Sequence, residues 1–171
     1  MSSLTTILIA IHTLISLVAI VAGAFAVADI IRSRPKSPNI TGFIILAIAT
    51  SLTGFVLPLK GVTPAVVVAV VALAILAFVL YAQSRANSTT FWKWSYVGGL
   101  VASLYLLVFV AVAQAFAKIS FLREAAPTQS EPPFAITQGI VLLAFVALGL
   151  YAVTSFKPQS YVGAPRTKTA I

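Results

Sequence analysis

The stretch LTTILIAIHTLISLVAIVAGAFAVADII, Leu4 to Ile31, meets no charged side chain before Asp29. A helix needs about 20 apolar residues to cross roughly 30 Å of hydrocarbon, so this stretch reads as a membrane span. Four more read the same way: about Ile40 to Leu57, about Pro64 to Gln83, about Trp94 to Ala117 and about Phe134 to Phe156. None carries lysine or arginine in its middle. The runs are continuous, without the alternation of an outer-membrane barrel strand. The expected fold is an all-α bundle of five transmembrane helices, one domain over residues 1–157. Residues 158–171, with Pro158, Gly163 and Pro165, are expected to form a flexible cytoplasmic tail.

Composition supports that reading. Of 171 residues, 60% are hydrophobic and 8% charged, against about 25% charged in an ordinary soluble domain. A water-soluble globule of this size could not be covered. The chain has no cysteine, which excludes a disulfide scaffold, a Cys-based zinc site, an iron–sulfur cluster and a thiol nucleophile. The net charge of +8 would suggest nucleic acid in a soluble protein. Here the cations sit in short connections between apolar runs, so nucleic acid is not expected as a partner.

The connections contain helix breakers. Arg34-Pro35-Lys36-Ser37-Pro38-Asn39 separates the first two spans, and Pro58-Leu59-Lys60-Gly61 precedes Pro64, a residue suited to a first helical turn. Ser84 to Thr90 is a polar loop, and Pro127, Pro132 and Pro133 prevent a continuous helix from Ala126 to Pro133. The Ala-rich end of the first span resembles a signal-peptide cleavage region. Its length, and the lack of a positive charge before Leu4, argue for an uncleaved span. We find no internal repeat.

Cations retained on the cytoplasmic side orient a membrane protein. With the N-terminus outside, the inner segments hold eight: Arg32, Arg34, Lys36, Arg85, Lys93, Lys157, Arg166 and Lys168. The outer segments hold three: Lys60, Lys118 and Arg123. The bias predicts N-out, C-in, as a multi-pass protein of a bacterial inner (plasma) membrane. Tyr81, Trp92, Trp94 and Tyr96 would form an aromatic belt at the inner boundary.

Polar side chains at membrane depth are costly and usually have a partner or a task. In this orientation they gather toward the outside. His12 lies about 12 Å below the outer boundary at 1.5 Å per residue. Thr50, Ser51 and Thr53 fall in the outer half of the second span. Gln114 lies one turn before Lys118, on the same helix face. Thr137 and Gln138 open the fifth span, with Glu131 in the loop above them. We expect His12, Gln114, Lys118, Glu131 and Gln138 to line a polar pocket open to the outer side. The hydroxyls alternatively bond their own helix carbonyls, Gln114 can act as interhelical glue, and Glu131 can pair with Lys118 or Arg123. Asp29 is expected to pair with Arg32, one turn on. Gly99 with Ser103, and Ala22 with Ala26, give the spacing of close helix packing.

Most catalytic chemistry lacks its residues. A single histidine cannot provide bis-His haem ligation or a His-rich metal site. Gly-x-Ser-x-Gly, His-Glu-x-x-His and Gly-rich phosphate loops are absent, and no acid lies at midplane. Enzyme activity is not the expectation.

Several strings carry a resemblance: Ala49-Thr50-Ser51-Leu52-Thr53-Gly54-Phe55, Phe91-Trp92-Lys93-Trp94-Ser95-Tyr96-Val97, Val112-Ala113-Gln114-Ala115-Phe116-Ala117-Lys118, and the more specific Ala126-Pro127-Thr128-Gln129-Ser130-Glu131-Pro132-Pro133-Phe134. Together with His12, they resemble a family of small uncharacterised bacterial inner-membrane proteins with an APTQSEPPF-type loop between the last two spans. The resemblance covers most of the chain up to the fifth span. It implies relatives with a second histidine at the start of the third span and an asparagine beside the tyrosine of the fourth. Here those places hold Ala65 or Val66, and Leu107 beside Tyr105. Half of any haem- or metal-binding histidine pair would then be missing.

The function expected is that of a binding or accessory membrane protein. Its outer pocket would take a small ligand, a lipid headgroup or a partner membrane subunit, in a monomer or a homo-oligomer. The alternatives are an oligomeric small-solute transporter or channel, and an electron-transfer subunit holding haem or quinone near His12 and Tyr105. The cofactor is left unknown.

Overall fold

A computed structural model describes residues 3–57, 64–86 and 88–157. The turn expected around Lys60 and the tail after Lys157 lie outside the described residues. Six helices follow in order: α1 Ser3–Ile31, α2 Pro38–Val56, α3 Pro64–Gln83, α4 Thr90–Lys118, α5 Ser120–Ala125 and α6 Pro132–Ser155. All except α5 are long and apolar enough to cross a membrane. The described residues contain no strand. We call the end at which α1 begins the upper end. There α2 and α4 finish while α3 and α6 start.

Helix limits follow local chemistry as well as hydropathy. The Ser37 side chain accepts from the Ile40 amide at 3.3 Å and Pro38 follows it, so α2 starts two residues before the apolar run. Thr89 caps the Trp92 amide at 3.4 Å, which starts α4 at Thr90 instead of Trp94. The Pro132-Pro133 pair opens α6. The short helix α5 is a departure from the expected plain loop. It forms because Ile119 interrupts α4 with an extended backbone, after which Ser120 to Ala125 complete one more helical segment.

Helices α1 to α4 pack in sequence around a ring, which α1 closes against α4. Helix α6 lies on α4 and α1 from outside. Glycine permits the tightest approaches. A Cβ on Gly23 would lie 2.6 Å from Leu104 Cδ1 and 2.8 Å from Phe43 Cε2, so the side chains of α2 and α4 reach the α1 backbone there. A Cβ on Gly99 would lie 2.5 Å from Val79 Cγ2, at the crossing of α3 and α4. The outward faces are apolar: Leu14, Phe25, Ile45, Leu143 and Tyr151 are all exposed. That inverts the surface of a soluble protein and suits hydrocarbon as the solvent.

Packing differs between the two ends. Phe43, Leu76, Val79, Tyr96, Val97, Leu100 and Phe156 are almost wholly buried, and they belong to the lower half. The α1–α2 connection is a hub beneath them. The Pro35 carbonyl accepts from Tyr96 Oη at 3.0 Å and from Gln83 Nε2 at 3.5 Å. Ser33, with a positive φ of 57°, turns the chain, and its hydroxyl accepts from the Lys157 amide at 2.9 Å. The same turn settles the partner of Asp29. Leaving the helix at Ser33 brings Arg34 back over the carboxylate, at 4.0 Å, and Asn39 Nδ2 donates to it at 2.7 Å. The expected pairing with Arg32 is replaced by these two.

Candidate functional site

On α1 the seam facing the bundle runs His12, Ser16, Ala19, Gly23, Ala26, Ile30, alternating four and three residues apart. This spacing keeps the residues on one helix face. Ala19, Gly23, Ala26 and Ile30 are buried, whereas His12 and Ser16 are half-buried. The polar residues thus continue the packing seam upward, into a region where the helices cover one another less. The facing positions agree: Ala111 and Ala115 of α4 and Gly54 of α2 are half-buried as well. The seam is therefore less covered toward the upper end, where Gly54, Ala111 and Ala115 are small residues.

His12 crosses this seam to α2. Its Nδ1 lies 2.9 Å from Thr53 Oγ1. The Thr53 hydroxyl has one proton, and Oγ1 lies 2.8 Å from the Ala49 carbonyl and 3.1 Å from that of Thr50. With that proton given to the backbone, Thr53 accepts from His12 Nδ1–H. The neutral ring then carries its lone pair on Nε2, which has no partner among the described residues. Gly54 makes room for the ring, since a Cβ there would lie 3.6 Å from His12 Cε1. Lys118 is the exposed last residue of α4, at the same end of the bundle. It lies fourteen residues, four helical turns, above Leu104 on the α4 face that meets Gly23.

Thr50 lies one turn below Gly54. It is 7% exposed and its hydroxyl has no partner, unlike Ser16, Ser51 and Thr53, which bond their own helix carbonyls. An unsatisfied buried hydroxyl costs about 1–3 kcal/mol, so among the described residues Thr50 has unused hydrogen-bonding capacity.

The other sequence candidates are placed differently. Gln114 is exposed on α4, at the rim. Gln138 is buried, and its Nε2 donates to the Phe109 carbonyl at 3.0 Å while Oε1 has no partner. Phe109 and Lys118 are nine residues apart, half a turn out of register, so Gln138 holds the flank of α4 opposite Lys118. Glu131 turns into its own loop. Its carboxylate accepts from the Thr128 amide at 3.2 Å, the Thr128 hydroxyl at 2.8 Å and the Ser130 amide at 3.1 Å. Burial in the loop pushes its pKa up, but these hydrogen bonds outweigh that and hold it below the ordinary glutamate value. Gln129 completes the loop by donating to the Ala113 carbonyl at 2.8 Å.

The structure therefore joins His12 to Thr53, places Thr50 a turn below Gly54 on the same helix and Lys118 at the end of α4, leaves Gln114 exposed, and gives Gln138 and Glu131 separate partners. Thr53 as the partner of His12 was the residue that sequence reasoning did not single out. Its signal was the Thr53-Gly54 step, an acceptor followed by a residue able to accommodate a ring. Two apolar grooves, of about 280 and 370 Å³, flank α6 and share Phe145 between them. Tyr105 lines the first and packs on Phe109 and Phe145, whereas His12 belongs to neither. Compared with protein-family models, with curated proteins and with solved structures, the chain finds no match.

Proposed function

We propose that this chain is a non-enzymatic multi-pass protein of a bacterial inner membrane, with its N-terminus and upper end outside. In this reading the upper end of the bundle forms a cleft that binds a small ligand, a lipid headgroup or a polar segment of a partner subunit. The observation that carries it is the His12–Thr53 pair. A hydroxyl fixes the imidazole so that Nε2 is offered as an acceptor, on a packing seam, at the end of the bundle that also carries the Lys118 ammonium and the Thr50 hydroxyl, which has no partner among the described residues. Such a set suits an occupant with one anionic group for Lys118 and one hydrogen-bond donor for His12. Gln114 would contact whatever protrudes at the rim.

Transport is the less supported reading. A path through the bundle must pass Ala26, Ile30, Ile40, Phe43 and Leu100, all at most 1% exposed. The electron-transfer reading rested on His12 and Tyr105, which occupy different interfaces. The binding reading is tested by thermal shift of the purified protein against small phosphates, carboxylates and lipid headgroup analogues. A stabilising compound is expected, and its half-saturation should weaken at least about tenfold, the value of one charged hydrogen bond, in Lys118→Gln and in His12→Asn. The exposed Arg123→Gln should bind as the wild type. Equal binding by all three variants would reject the site.

A further inference from the structure

A second site lies at the lower end, on the flank formed by α3 and α4. Arg85 follows α3 by two residues, and its backbone is held by the Ser88 amide and hydroxyl, at 2.9 and 2.7 Å from the Arg85 carbonyl. The guanidinium carbon lies 4.8 Å from the centre of the Tyr81 ring and 5.4 Å from that of Trp92. Trp92 in turn meets Tyr81 edge-on at 5.3 Å, Phe91 at 5.2 Å and Phe78 at 6.3 Å. Tyr81, Phe91 and Phe78 are exposed on the hydrocarbon-facing side of the bundle. An apolar aromatic platform thus ends in a stacked cation at the level where the helices end.

Stacking occupies the faces of a guanidinium and leaves its N–H donors free in the ring-like plane of the fork. Those donors match two oxygens of a phosphate, a geometry that a lysine ammonium does not reproduce. The exposed rings of Tyr81 and Phe78, above Arg85 toward the middle of the bundle, supply a surface for acyl chains. The surrounding charge selects the headgroup. Among the described residues the one ion pair is Arg34 with Asp29, so Arg32, Lys36, Lys93 and Lys157 share the lower end with Arg85 without an acid to neutralise them. This excess of positive charge repels a headgroup that carries its own ammonium.

We propose that Arg85, Tyr81 and Trp92 form a binding site for an anionic phospholipid, with Arg85 gripping the phosphodiester and Tyr81, Trp92 and Phe78 carrying the upper acyl chain. The site is independent of the cleft at the other end. It is tested with the purified full chain in detergent, titrated with phosphatidylglycerol, phosphatidylcholine or inorganic phosphate and followed by melting temperature. Phosphatidylglycerol alone should stabilise. Arg85→Gln should weaken its half-saturation about fivefold, the worth of one cation at a membrane surface. Arg85→Lys should recover little of this, while Arg123→Gln at the far end should behave as the wild type. Quenching of tryptophan fluorescence by phosphatidylglycerol with brominated chains gives a second readout on the unaltered protein, and should exceed quenching by brominated phosphatidylcholine. Equal effects of the two lipids, a matching shift with inorganic phosphate, full rescue by Arg85→Lys, or equal loss in Arg123→Gln would each overturn the proposal.

Discussion

One proton decides which nitrogen of His12 is available. The Thr53 hydroxyl spends it on the Ala49 and Thr50 carbonyls, so the imidazole must donate through Nδ1. Thr53→Val keeps the shape and removes the acceptor. It should cost about 1 kcal/mol of stability and release the ring into a mixture of tautomers. Nitrogen-15 imidazole shifts check this: the wild type should show a protonated Nδ1 and a bare Nε2, the variant an average. At this scale the sequence was partly legible. His12 stood out because it is the one histidine and lies at membrane depth. Thr53 did not, because choosing among Thr50, Ser51 and Thr53 requires the rotation of α2 about its axis. Hydropathy does not encode that rotation when a helix is apolar all round. Asp29 failed for a related reason. Its helix neighbour Arg32 was the obvious partner, but the turn at Ser33 lies outside helical spacing rules and delivers Arg34.

Among the helices, adjacent glycines of α4 have opposite environments. A Cβ at Gly99 would press on Val79 Cγ2 at 2.5 Å, while one at Gly98 would meet nothing within 4 Å. Valine in a helix has little rotamer freedom with which to yield. Gly99→Ala should therefore destabilise by about 1–3 kcal/mol, the usual cost of overpacking, and Gly98→Ala should be neutral or slightly stabilising. Equilibrium unfolding in detergent micelles would compare the two. Helix existence was plain from the sequence, since each long apolar run has one viable conformation in a bilayer. Helix ends were less plain, because Ser37 and Thr89 extend α2 and α4 through polar capping that an apolar count ignores. The short α5, exposed except at the half-buried Leu122, left no hydrophobic periodicity to read.

For the whole molecule, five apolar helices and a cysteine-free sequence make topology directly measurable. Single cysteines at Thr128 and at Ser88 place one thiol at each end without competing labels. In intact cells a membrane-impermeant maleimide should label Thr128→Cys, and Ser88→Cys should react only after permeabilisation. The reverse pattern would overturn the proposed orientation. The unequal packing of the two ends also has a mechanical meaning. The lower end is tied across the chain by the Pro35 carbonyl, Tyr96, Gln83 and the Ser33–Lys157 contact, while in the upper half α1 and α2 are joined by the His12–Thr53 bond. The bundle is built like a clothes-peg, stiff at its pivot and compliant at its jaws. A force prising α1 from α2 at the upper end must break the imidazole–hydroxyl contact as well as separate the packed helix faces. Its displacement would fade to nothing near Gly23, where Leu104 and Phe43 press directly on the α1 backbone.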